Sequence, residues 1–168
     1  MSIAEATQSI KNRRSIRKYK PDPVPDEVIR DIVDCARLAP TARNVQPWVI
    51  GVIRDQKLRS AIADLAEYGK FIRHAPVCFT VFVKEDEKYF MEDGCAATMN
   101  IILAAAAHGV GTCWVAGHKK DYVSAIRDLL SVPMGYTLLS LISAGYALET
   151  PNPSKKSVDD VVFFDLYG

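Results

Sequence analysis

Apolar residues recur along the chain at two kinds of spacing, and each kind predicts a different element. A spacing of three and four residues predicts amphipathic helices, whereas short runs rich in β-branched and aromatic residues predict buried strands. Asp26 and Asp55 precede two of the helical patterns and are expected to cap them. The predicted helices cover residues 3–11, 27–39, 56–68, 91–108 and 122–130, and the predicted strands cover residues 48–53, 77–83, 112–115 and 137–147.

This order of elements predicts a single domain over residues 1–168. A length of 168 residues, with 49% hydrophobic and 24% charged residues, is typical of one globular domain. The strands and helices alternate or cluster, so we expect a mixed sheet between helices, in an α+β or α/β domain.

Three features bear on where the protein works, and together they predict a cytoplasmic protein that does not contact a membrane. Residues 94–118 and 129–148 carry no charge, but glycine and proline break both stretches into shorter pieces, which favours buried elements over membrane spans. The first eleven residues hold no apolar run long enough for a signal peptide. The cysteines stand singly, as is typical of reduced core thiols; they are Cys35, Cys78, Cys95 and Cys113.

The densest charge in the chain lies between residues 11 and 20, where six cations occur without an acid. The whole protein has a formal charge of only +1, from 21 basic and 20 acidic residues, so this segment stands out. It is either a solvated basic face or an anion site, in which the arginines and the Ser15 hydroxyl bind a phosphate. The stretch is too short for duplex binding, so we expect a phosphate-bearing small molecule and no nucleic acid.

A second unusual segment is the loop 40–47, which places two prolines, Asn44 and Gln46 between a predicted helix and a predicted strand. It is either a simple turn or a rigid loop whose amide groups bind the edge of a heteroaromatic ring. The histidines show no spacing that indicates a metal site or a catalytic triad, and no metal is expected. His118, beside Gly117, is either a bystander or a substrate contact.

Four motifs, taken in order along the chain, resemble the nitroreductase-like FMN flavoprotein family. The family's basic R-x-S-x-R/K stretch corresponds to R-R-S-I-R at residues 13–17, and its A-P-S-x-x-N-x-Q-P-W loop to A-P-T-A-R-N-V-Q-P-W at residues 39–48. Its G-x-G-T-C-W-x-x-G segment corresponds to residues 109–117, and its proline-rich, basic ending to G-Y-A at 145–147 followed by residues 151–162. The resemblance implies the nitroreductase-like fold, an α+β domain with a mixed, mainly antiparallel central sheet flanked by helices.

The resemblance also implies which residues hold the cofactor FMN. Arg13 would lie near the phosphate and Arg17 near the pyrimidine edge of the flavin, where a cation stabilises the charge of the reduced ring. Loop 40–44 would reach the flavin from a second subunit, and the backbone amides at 116 and 117 would face flavin N5 and O4. The implied cofactor-binding residues are Arg13, Arg14, Ser15, Arg17, Pro40, Thr41, Ala42, Asn44, Ala116, Gly117 and Lys155.

Two of these positions depart from the family pattern. Lys155 stands where the family has an arginine that binds phosphate, so the charge is kept but the bidentate fork is lost. Ala116 stands where many relatives have a glutamate.

The function implied is an FMN-dependent NAD(P)H oxidoreductase that reduces electron-poor acceptors such as nitroaromatics or quinones. Electrons would pass by ping-pong hydride transfer through flavin N5, with no catalytic side chain. The alternative is a protein that binds FMN as a sensor or store without turnover. Surplus apolar residues in the helix 91–108 and in the tail 161–167 predict an interaction surface, and the resemblance implies that it forms a homodimer with FMN at the subunit interface.

Overall fold

The structure, a computed structural model, describes residues 3–167 and places the elements largely where the patterns predict them. Two short 3-10 helices, Ala42–Asn44 and Glu67–His74, follow the second and third helices. The helices are α1 (Ile3–Asn12), α2 (Asp26–Arg37), α3 (Gln56–Leu65), α4 (Phe90–Ala107) and α5 (Val123–Leu129), and the strands are β1 (Trp48–Ile53), β2 (Val77–Lys84), β3 (Gly111–Ala116) and β4 (Tyr136–Gly145).

Within the described residues the strands form one four-stranded sheet in the order β1-β2-β4-β3, and all neighbouring strands run antiparallel. A parallel bridge between Ser15 and Thr112 adds the basic segment to the outer edge of β3. The predicted α+β class, with a mainly antiparallel sheet flanked by helices, is confirmed.

Helices cover both faces of this sheet. Helices α2 and α4 bury one face in a core that includes Ile32, Phe79 and Ile101. Helices α3 and α5 bury the other face around Ile62 and Ile126. None of the helices within residues 3–167 combines the length and the apolar character that crossing a membrane requires.

Close approach of α4 to the sheet depends on Gly94. A Cβ atom at this position would lie 2.5 Å from Leu139 Cδ2 and 2.7 Å from Val83 Cγ1, far inside normal contact. The helix therefore sits directly on β2 and β4, which fixes its outer face relative to β3.

Local details differ from the sequence predictions at one helix cap and at the ends of several elements. Asp55 caps α3 as expected, accepting from the Leu58 N–H at 2.8 Å, but Asp26 does not cap α2. Pro25 holds the cap position of α2, and the Asp26 carboxylate pairs with Arg54 instead. Helix α3 ends at Leu65, three residues earlier than expected, and β4 ends at Gly145 rather than at 147.

Candidate active site

The basic segment 13–20 is fixed to the edge of the sheet by backbone hydrogen bonds. The Ile16 N–H donates to the Thr112 carbonyl at 2.9 Å, beside the bridge from Ser15. Further along, the Lys20 N–H donates to the carbonyl of Tyr146 at 2.8 Å. The segment thus continues the sheet beyond β3 and β4, and its cations have a fixed base.

The buried side chain of Tyr19 connects this segment to β4. Its side chain is only 6% exposed, and its hydroxyl donates to the Ile16 carbonyl and lies 2.6 Å from Ser143 Oγ. Burial raises the pKa of Tyr19 well above its ordinary value, so the hydroxyl stays protonated and remains a donor.

Gly111 lets the segment lie this close to β3. A Cβ atom at Gly111 would lie 2.7 Å from Ile16 Cγ1. Gly109, with a φ of +70°, lies just after the end of α4. Gly111 already belongs to β3 and serves the close approach of two backbones.

Arg13 and Ser15 line a cavity of about 200 Å³ beside the start of β3. Its other walls come from α4 and β3; they are Met99, Ile102, Thr112 and Trp114. Arg13 is half-buried, and its guanidinium makes no hydrogen bond or ion pair with any residue that the structure describes. A half-buried cation without a partner is suited to binding an anionic ligand.

The electrostatic surroundings of Cys113 show how close the cations lie to this strand. Burial raises the pKa of the Cys113 thiol, whereas Arg17, a hydrogen bond from Ser15, and Arg13 act in the opposite direction. The guanidinium of Arg17 lies 5.9 Å from the ring centre of Phe71, a cation–π contact that restrains the side chain. Arg13, Ser15 and Arg17 are therefore near one another at the β3 edge.

A second cavity of about 630 Å³ adjoins the first and is lined by both Arg13 and Arg14, at the end of α1. One guanidinium nitrogen of Arg14 donates to the carbonyls of Lys11 and Arg13, at 2.7 and 3.0 Å. Arg14 thus braces the junction between α1 and the basic segment, and Arg13 is the freer of the two cations.

The exposed side of β3 leads from this cation cluster toward Gly117. Trp114 and Ala116 are exposed and alternate with buried neighbours, so β3 presents one open face. From Thr112, which is buried but lines the cavity, past the exposed Trp114 to Ala116, this side of β3 is about 13 Å long, at roughly 3.3 Å per residue. The strand can therefore contact a ligand that has an anionic group at one end and a ring at the other.

At the far end of β3 the backbone is held tightly. A Cβ atom at Gly117 would lie 2.5 Å from the Leu138 carbonyl oxygen, and the Gly117 N–H donates to Leu139 at 2.9 Å. The Tyr122 hydroxyl donates to the Ala116 carbonyl. A flavin at this position would compete with Leu139 for the Gly117 N–H, which is not a free donor in this structure.

His118 follows directly and lies edge-on to Phe90, with ring centres 5.5 Å apart. Phe90 is the first residue of α4. His118 therefore packs against α4 through this contact. A role for His118 in contacting substrate stays a prediction.

The loop that contains Thr41 is tied to the start of α4 by a buried carboxylate. Thr41 Oγ1 donates to Asp93 at 2.6 Å, and the Ala42 N–H donates to the same carboxylate at 3.1 Å. Asp93 is 6% exposed. Positive φ angles at Arg43 and Asn44, +54° and +58°, give the loop an unusual shape that these hydrogen bonds hold.

Within one chain the structure groups only some of the predicted site residues. Arg13, Arg14 and Ser15 share the adjoining cavities, whereas neither cavity is lined by loop 40–44 or by Lys155, which is exposed in the tail. Asp93 lies six residues before Met99 on α4, about 9 Å along the helix axis. Loop 40–44 and the cavity that Arg13 lines therefore contact α4 at different points along its axis.

Sequence reasoning missed several residues of this site, because each depends on packing between distant segments. Met99 forms part of the cavity wall, Asp93 holds the loop, and Glu149 binds the backbone of the basic segment. None of the three carries a local signal in the sequence, and Asp93 directly follows another acid, Glu92.

Comparison with known proteins connects this geometry to a family. The model of the nitroreductase family matches residues 10–68 and 65–146. A candidate NADH dehydrogenase/NAD(P)H nitroreductase of Methanothermobacter thermautotrophicus is 34% identical over 156 residues, which cover 90% of this chain and 82% of that protein.

Solved structures agree over nearly the whole chain. An FMN-dependent nitroreductase from Clostridium difficile superposes with a TM-score of 0.89 at 28% identity, covering 95% of this chain and 98% of that one. A candidate NADH dehydrogenase/NAD(P)H nitroreductase from Bacteroides thetaiotaomicron gives a TM-score of 0.93 at 27% identity, covering 99% and 100%. With a matching family model over most of its length and a relative at 34% identity, the chain belongs to the nitroreductase family.

Proposed function

We propose that the protein passes electrons from NADH or NADPH, through FMN, to electron-poor small molecules such as nitroaromatics or quinones. Family membership confirms the predicted class, an FMN-dependent oxidoreductase that uses a nicotinamide donor. The observation that carries the assignment of the site is the unpaired guanidinium of Arg13 in a cavity walled by Ser15 and Trp114.

The donors present fit the phosphate of FMN. Arginine offers a planar fork of N–H groups that matches a phosphate, and the Ser15 hydroxyl lines the same cavity. None of the six cations at residues 11–20 forms an ion pair with a carboxylate among residues 7–167, whose side chains the structure describes. Their charge is therefore available to an anionic ligand.

The open face of β3 fits the rest of the cofactor. Trp114 provides an apolar wall between the cations and the Ala116–Gly117 end of β3, where the residues are small. Bound FMN supplies the two-electron chemistry, since it accepts electrons from the nicotinamide and gives them to the acceptor. Arg13 and Ser15 hold the phosphate, and Arg17 sets a positive charge beside the ring.

We propose further that the active unit is a homodimer of single-domain chains. Met91, Cys95 and Met99 are spaced by four residues on the outer face of α4, and the two methionines are each 38% exposed. The tail beyond β4 also exposes large apolar side chains; these include Phe163, Phe164, Leu166 and Tyr167, which are 57–90% exposed. Such surfaces are stabilised by association, and a second copy would bring its loop 40–44 to the site.

The four cysteines are unpaired thiols in the structure, which supports a reducing compartment, and we propose the cytoplasm as the location.

The first experiment records the absorbance spectrum of the purified protein and then titrates it anaerobically with each nicotinamide. We expect a flavin spectrum that NADH or NADPH bleaches, and that a nitroaromatic or a quinone restores. A flavin spectrum that neither nicotinamide bleaches would favour the non-catalytic FMN sensor instead.

The dimer is tested by subunit mixing. At an FMN concentration too low to fill either variant alone, mixed Arg13→Ala and Asn44→Ala chains should form heterodimers in which one of the two sites has both intact halves. Mixing should restore part of the wild-type activity. A monomer in sedimentation that holds one FMN and oxidises NAD(P)H would contradict the shared site.

A further inference from the structure

Glu149 binds the backbone of the basic segment directly. Its Oε1 atom accepts from the Arg17 N–H at 2.6 Å and from the Lys18 N–H at 3.2 Å. Two successive backbone N–H groups that converge on one oxygen form a small anion-binding nest. The carboxylate comes from the chain just after β4, 132 residues away from Arg17.

Glu149 lies near several cations, yet its hydrogen-bond donors are the backbone N–H groups of Arg17 and Lys18. Of the residues whose side chains the structure describes, Glu149 is the only acid lining the larger cavity, which it shares with Arg13 and Arg14. Among the described residues it nevertheless forms no ion pair with any guanidinium. Glu149 therefore fixes the backbone of the segment while leaving its side-chain cations free for a ligand.

Neighbouring backbone contacts also hold the basic segment in place. The Leu148 N–H donates to the Lys18 carbonyl at 2.9 Å, and Tyr19 pairs with Ala147 in an antiparallel bridge. These contacts hold the residues after Arg17, whereas Glu149 is the contact that holds the N–H of Arg17 itself. Without it, the position of the Arg17 guanidinium would depend on its contact with Phe71 and its weak bond to the Ser15 carbonyl at 3.4 Å.

We propose that Glu149 is a positioning residue for the flavin, one that acts through Arg17. Its hydrogen bonds keep the Arg17 backbone in place, so that the guanidinium stays beside the ring and favours the reduced cofactor. Its own negative charge partly offsets that effect. This inference rests on the proposed FMN site, and it adds a residue that sets the reduction potential without touching the ring.

Two neutral variants separate the hydrogen bonds from the charge. Glu149→Gln keeps an oxygen acceptor for the two N–H groups, whereas Glu149→Ala removes it, and both remove the negative charge. In the FMN-free protein, amide hydrogen exchange at Arg17 and Lys18 should be about tenfold faster or more in the alanine variant, as expected for losing a hydrogen bond to a charged group. The glutamine variant should stay closer to wild type.

The second measurement is the midpoint potential of bound FMN. Since both variants are neutral at 149, the difference between them reports the hydrogen bonds alone. We expect a lower potential for Glu149→Ala than for Glu149→Gln, because a displaced Arg17 stabilises the reduced ring less. In an Arg17→Ala background this difference should disappear, as a double-mutant cycle requires when one residue acts through the other.

Several results would overturn the inference. Equal potentials for the two variants would show that the hydrogen bonds do not matter to the flavin, and a difference that persists without Arg17 would show a general structural role. Unchanged amide exchange in Glu149→Ala would show that Glu149 does not hold the backbone N–H groups of Arg17 and Lys18. If wild-type protein takes up no FMN, the proposed function fails first and this role for Glu149 fails with it.

Discussion

Replacing Arg13 with alanine should weaken the binding of FMN while leaving the binding of riboflavin nearly unchanged. Arg13 is half-buried, lines both cavities, and has no partner among the described residues. Its guanidinium is therefore free to bind a phosphate, the group that FMN has and riboflavin lacks. The variant removes this one contact without breaking a hydrogen bond of the protein itself.

The expected size follows from the chemistry of the contact. Losing a hydrogen bond to a charged group costs about 1.5–3 kcal/mol, which corresponds to a dissociation constant about 10- to 150-fold higher. Arg13→Lys should fall between wild type and Arg13→Ala, because lysine keeps the charge but not the planar fork. The fold itself should be unaffected, since the side chain makes no ion pair in the described chain.

The assay titrates flavin-free protein with FMN and with riboflavin at one fixed salt concentration. Lys20→Ala is the matched control, since it removes the same charge from an exposed position of the same segment. Its effect should be small and should decrease with salt, as for any screened surface charge. Arg13 does not bind the phosphate if Arg13→Ala weakens the binding of riboflavin as much as the binding of FMN. The same follows if the wild-type protein binds FMN and riboflavin equally tightly.

Three further changes test other parts of the site. Arg17→Ala should lower the midpoint potential of bound FMN, measured against a reference dye, because the reduced ring loses a nearby positive charge; an unchanged potential would contradict this role. Asp93→Ala should lower the free energy of unfolding by about 1–3 kcal/mol in urea, because Thr41 and Ala42 lose a buried acceptor; an unaltered urea midpoint would mean that the loop is held by other contacts. Deleting residues 163–168 should weaken both the dimer and FMN binding, measured by sedimentation and flavin absorbance, and a truncated dimer that keeps FMN would refute the link.

The elements of the fold could be predicted because their sequence patterns are strong and local. Every residue of β2 from 77 to 83 is buried, as its apolar run, interrupted only by Thr80, indicates. The small residues of α4 predict its close packing, which Gly94 makes possible. The prediction that Asp26 caps α2 is wrong for a local reason as well, since Pro25 holds the cap position and the Asp26 carboxylate pairs with Arg54.

The arrangement of the site could be predicted only in part. The motif at residues 13–17 identifies the cations, but their neighbours come from segments that sequence spacing does not connect. Thr41 and Asp93 are 52 residues apart, and Arg17 and Glu149 are 132 apart. Such pairs form only once the sheet and α4 have set the distances, so neither acid carries a recognisable signal in the sequence.

The position of Trp114 gives the molecule a built-in optical reporter. The chain has two tryptophans, and the other, Trp48, lies on β1 at the opposite edge of the sheet, three strand spacings or about 14 Å from β3. A Trp48→Phe protein would therefore have its single tryptophan in the wall of the cavity that Arg13 and Ser15 share. Its fluorescence would follow the arrival and departure of any ligand there, coloured or colourless, in real time and without a label.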